Sequence, residues 1–198
     1  MARTVRDTAL VHAVLTGQKR AQPAAAGVRI GTLEPTGFED ALASLGATVE
    51  PAVLPEPAAD LMAVFQAECA ITHLPWYPSR QDEYGPDLRA KLEAAQHVSV
   101  VDYRRGLAAL RDLQERARTD PAVDVVISPT LAIEPPPDDC SELDVRAGLT
   151  AFTSRFNYLG WPAIAVGNLQ IAGRDEQTVL GVALALEAAG SSAPVPII

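Results

Sequence analysis

The chain has 198 residues, of which 48% are hydrophobic, and carries a formal net charge of -9. That length fits one domain with a full apolar core, the composition excludes a disordered chain, and basic residues scattered among more numerous acids argue against a nucleic-acid partner. No apolar run approaches the roughly 20 residues of a membrane span, and two cysteines, Cys69 and Cys140, are too few for a disulfide framework, so a cytoplasmic protein with reduced thiols is expected.

Thr4 to Leu15 is predicted as a helix, with Thr4 as cap, Asp7 at capping-box spacing and Gly17 as stop. Val28 to Leu33 reads as a strand, Phe38 to Leu45 as a short helix and Ala47 to Val53 as a second strand. That order suggests parallel strands. Past Pro55 and Pro57 a longer helix runs to about His73, with Leu61, Val64, Phe65, Glu68 and Thr72 on one stripe. Pro86 opens a helix to about Ala95. Ser99 and Asp102 open the next, with Tyr103, Leu107, Leu110 and Gln114 on one face. Val123 to Ile127 is a β-branched run expected as a buried central strand. Pro129, Pro135, Pro136 and Pro137 mark Ser128 to Asp139 as a loop. Leu143 to Leu159 is expected to be helical in part. Ala163 to Val166 and Leu169 to Ala172 flank Gly167-Asn168, a two-residue hairpin turn. Asp175 caps a last helix whose stripe is Val179, Val182, Ala183 and Leu186, and Gly190 stops it. Residues 1–190 are thus expected as one domain and 191–198 as a flexible tail.

Several segments, in one order along the chain, carry a resemblance. Met1-Ala2-Arg3-Thr4-Val5 with Asp7, Ala9 and Leu10 resembles a segment that follows the catalytic serine in the amidase signature family. Val28 to Gly31, Leu42 to Glu50, Glu83 to Arg89 and Asp102-Tyr103 are similar to later stretches of that family. Asp124 to Thr130 resembles its strand ending in Pro-Thr, and Phe152-Thr153, Asn157, Gly160, Pro162-Ala163, Gln170 and Gly173 resemble its C-terminal pattern. The resemblance implies an α/β fold, a mixed sheet flanked by helices as in the C-terminal half of an amidase. It also implies that the lysine, the cis-serine and the nucleophilic serine of such enzymes lie outside the matched part. Only Gly167-Asn168 stands where the family inserts about a dozen residues, and Gly31 to Phe38 is shorter than in relatives.

The chemistry left in the chain is sparse. Glu68 shares a stripe with apolar residues, so its carboxylate is expected to be partly buried, as a general base or, by the commoner habit, as a paired structural charge. Asn157 and Trp161 are the other substrate-pocket candidates, with local hydrogen bonding and turn packing as the ordinary alternatives. His12, His73 and His97 sit in no nucleophile elbow. Cys69, His73, His97 and Cys140 lack the paired spacings of a zinc site, and no metal or cofactor is expected. Gly190-Ser191-Ser192-Ala193 resembles the family's serine loop only in composition. The expectation is a truncated amide-hydrolase relative without activity of its own. The alternatives are one piece of a split amidase completed by an N-terminal chain, or a binding module. An exposed sheet fragment implies a homodimer or such a complementing chain as partner, with no membrane.

Overall fold

A computed structural model describes residues 2–190, so the tail expected at 191–198 lies outside the described residues. The elements are α1 (Val5–Thr16), β1 (Arg29–Thr32), α2 (Glu39–Ser44), β2 (Thr48–Pro51), α3 (Met62–His73), α4 (Pro86–Ala95), α5 (Val100–Arg116), β3 (Val125–Pro129), α6 (Glu142–Thr150), α7 (Ser154–Leu159), β4 (Ala163–Val166), β5 (Leu169–Gly173) and α8 (Glu176–Ala188). The five strands form one mixed sheet in the order β2-β1-β3-β5-β4. β1 pairs in parallel with β2 and β3, while β5 runs antiparallel to both β3 and β4.

The local signals act as expected where they are short-range. Thr4 Oγ1 accepts from the Asp7 amide at 3.0 Å and Gly17 takes φ 70° beyond α1. Ser99 and Asp175 cap α5 and α8 in the same way. The hairpin closes on Gly167 at φ 62°, a left-handed backbone that suits glycine.

Each face of the sheet carries its own core. Along β3, Val125 and Ile127 point to one face and Val126 to the other, as the period of two requires. The first face holds Ile30, Leu42, Leu169, Ile171 and Val182 beneath α2 and α8. The second holds Ala109, Leu113, Phe156, Leu159 and Ala172 under α5 and α7. α8 is buried all round from Val179 to Leu186, because the sheet lies on one side and α1 on the other. Its expected four-residue stripe is therefore too narrow. Glu187, at its end, accepts from the Val5 and Arg6 amides at 2.6 and 3.1 Å, so α8 caps the amino end of α1.

Two helix faces differ from expectation. In α5 the buried residues are Gly106, Ala109 and Leu113, one position off the predicted stripe. α3 crosses so closely there that a Cβ on Gly106 would sit 2.7 Å from Val64 Cγ2. At the start of α3, Leu61 and Val64 are buried as predicted, but Phe65, Glu68 and Thr72 are exposed, since no described element covers that side. The region 143–159 is two helices separated by residues 151–153.

Candidate functional site at the carboxyl end of β3

In open α/β sheets, ligands gather beyond the carboxyl ends of the parallel strands. Here the apolar runs stop at that place and uncharged polar residues begin. Ser128 lies directly across from Gln170 in the β3–β5 register. Both are buried, and they are the only polar side chains among the described residues classed as core. Ser128 Oγ donates to the Pro129 carbonyl at 3.0 Å, and Gln170 Nε2 reaches the Phe152 carbonyl at 3.4 Å. The hairpin turn pins the loop that leaves β3. Asn168 takes the Thr130 amide on its carbonyl at 2.7 Å and the Leu131 amide on Oδ1 at 3.1 Å.

Thr130 Oγ1 and, at the end of β1, Thr32 Oγ1 are buried hydroxyls with no hydrogen-bond partner among the described residues. An unmade bond of this kind costs about 1–3 kcal/mol. Such groups are able to bind and orient a polar ligand. They are poorly set up to move a proton, because activating a hydroxyl needs a base in hydrogen-bond reach.

Among the described residues, no serine, threonine or cysteine side chain hydrogen-bonds to the side chain of a histidine or lysine. Where hydroxyls meet carboxylates, as Ser99 with Asp102 and Ser141 with Asp87, they do so at helix amino ends. Burial pushes the Cys69 thiol up, reinforced by the Glu68 charge and opposed by Arg146, so the reactive thiolate is disfavoured. His12 Nε2 lies 3.1 Å from Glu176 and His73 Nδ1 3.1 Å from Tyr84 Oη. His97 lines a cleft of about 320 Å³ between α3, α4 and α5, together with Asp60, Gln66 and Arg105.

The expected partial burial of Glu68 is a correction. Its side chain is exposed on α3, and only its backbone carbonyl is engaged, by Thr72 Oγ1 at 2.8 Å. Asn157 is exposed on α7, where its carbonyl takes the Gly160 amide. Trp161 stacks on Phe156 at 6.4 Å, and the Arg174 guanidinium lies 4.7 Å from its ring centre. Arg174 also donates to the Ala117, Pro121 and Val123 carbonyls at 2.8, 2.9 and 2.8 Å. Burial lowers its pKa, while Asp120 and Asp124 oppose that shift. Trp161 thus belongs to a clasp holding the chain before β3. No hydrogen bond links Glu68, Asn157 and Trp161 to one another among the described residues. Ser128, Thr130 and Gln170 were not among the substrate-pocket candidates that the sequence offered. Their signal was a polar residue interrupting a buried apolar run.

No family model matches the chain. It is 34% identical over 108 residues to a Mycobacterium bovis protein that carries the amidase name AmiD, covering 50% of this chain and 22% of that one. It is 30% identical over 230 aligned residues to the 2-amino-5-chloromuconic acid deaminase of Comamonas testosteroni, covering 95% of this chain and 50% of the relative. A solved amidase superposes with TM-score 0.75 at 22% identity, over 95% of this chain and 51% of its own. These matches are consistent with a C-terminal fragment of the amidase signature family. A second solved relative of this fold, from a vestigial protein complex bearing on the origins of an s-triazine catabolic enzyme, gives TM-score 0.76 at 20% identity over 98% of this chain and 53% of its own. The amidase-like unit described here thus spans half or less of the curated relatives it matches.

Proposed function

We propose that this chain supplies the non-nucleophilic part of an amide C–N hydrolase unit and does not hydrolyse amides by itself. The relatives' names, an amidase and a deaminase, support C–N bond cleavage as the chemistry of the unit. The observation that supports the absence of activity is that no serine, threonine or cysteine side chain among the described residues hydrogen-bonds to a histidine or lysine side chain, and the serine–carboxylate pairs are caps at helix amino ends. Ser128, a fully buried residue, spends its proton on the Pro129 carbonyl. Its role with Thr130 and Gln170 is to present hydrogen-bonding groups to a substrate held by the rest of the unit. The purified chain is expected to raise p-nitroacetanilide or p-nitrophenyl acetate hydrolysis no further than buffer does. Turnover that disappears in Ser128→Ala or Glu68→Gln would refute this.

A second reading is that a separate chain completes the unit. It is supported by the half-length coverage of the relatives and by the open, uncharged strand at the β4 edge.

A further inference from the structure

The two outer strands differ in what their backbones offer. Gly173 donates to the Pro162 carbonyl at 3.1 Å, which makes Pro162 and Gly173 a hydrogen-bonded pair. Bonded and non-bonded pairs alternate along an antiparallel ladder. Ile164 and Val166 therefore face β5, and Ala163 and Ala165 turn both their amides and their carbonyls to the side where no described strand pairs with them. Their side chains are exposed as well, on the face where the cover of α5 and α7 has ended. At the other edge, Thr48 and Ala52 donate inward to the Val28 and Thr32 carbonyls. The outward positions there are Val49 and Pro51, and Pro51 has no amide to give. Exposed Glu50 guards the same strand.

The geometry points to β4 as a docking edge that receives a strand from a polypeptide carrying the half of the unit which the relatives have and this chain does not match. This rests on the second reading above. The solved amidase and the vestigial-complex protein each carry about as much chain again as the part that superposes. A partner of that size also brings surface for the apolar residues exposed on α1, where Val14 and Leu15 are 73% and 80% exposed. A second copy of this chain, paired β4 to β4 about Ile164, would join two four-residue strands. That is little against the roughly 1,200 Å² of a stable interface.

The test places the photo-crosslinking residue p-benzoylphenylalanine at Ala165 and, separately, at Glu50, in the cells from which the chain comes. The adducts are identified by mass spectrometry. The expected adduct at Ala165 is a polypeptide aligning with the unmatched half of the relatives, at least about ten-fold above Glu50. Ala165→Pro, which removes an outward amide and no ladder bond, is expected to cut its co-purification by a similar factor while leaving the circular dichroism unchanged. Equal labelling from both positions by such a polypeptide would overturn β4 as the dock and leave the second reading standing. Adducts only to copies of this chain, or none from either position, would overturn both.

Discussion

β2 and β4 are each four residues long and each closes one side of the same sheet, but β2 reads Thr-Val-Glu-Pro and β4 reads Ala-Ile-Ala-Val. β2 sends Val49, and β4 sends Ile164 and Val166, against the same core. The difference lies in what faces outward. β2 has Val49 and a proline there, beside the exposed Glu50 carboxylate, and proline and charge are usual devices by which a sheet declines further strands. β4 has two peptide groups without partners among the described residues, and two methyl side chains. An edge left open next to a well-packed interior is what the proposed docking of a further strand at β4 requires.

The comparison is sharpened first by its supports. Ile171, fully buried behind β4, is expected to cost about 2–5 kcal/mol when changed to alanine. Half-buried Val49 on β2 should cost about 1 kcal/mol for the same change. Urea unfolding of both variants checks this, and equal losses would mean that the β2 side is as deeply anchored as the β4 side. Next in size, Glu187→Ala removes the carboxylate that α8 lends to the amino end of α1. The expected loss is about 1–2 kcal/mol, with faster hydrogen exchange at Val5 and Arg6 and none of that change around β2.

A smaller effect separates the sides by pH. The backbone amide of Arg29, joined by its guanidinium, holds Asp124 below its ordinary pKa. A depressed carboxylate contributes stability that is present above the unfolded pKa of about 3.9 and lost as pH falls through the folded value. Asp124→Asn should flatten the stability profile below about pH 4. It should change neutral stability by at most about 1 kcal/mol, because both partners are largely exposed. A profile unchanged in acid would show that the pair is not formed in solution. The smallest stability change is expected for Pro51→Val, which restores an outward amide at β2. Its mark is self-association in light scattering, and a variant as monodisperse as the parent would show that Glu50 alone guards that edge.

The sequence was most legible where the physics is local. Thr4 with Asp7, Ser99, Asp175 and the Gly167-Asn168 turn act through bonds a few residues long, and all four appear as predicted. What it hid depends on distant partners. Glu68 looked half-buried because its stripe begins with Leu61 and Val64, and nothing in the sequence says that α3 is left uncovered beyond them. The α5 face was misread because a close helix crossing buries Gly106 and Ala109, which carry little hydrophobic signal. Ser128 and Gln170 become a pair only through strand register, 42 residues apart in sequence.

The central claim is that this chain holds no activated nucleophile. The most direct measurement is the intact mass of the purified chain after prolonged exposure to excess fluorophosphonate, a reagent that captures activated serines. The account predicts an unchanged mass. A stoichiometric adduct mapped to any of its serines would contradict it.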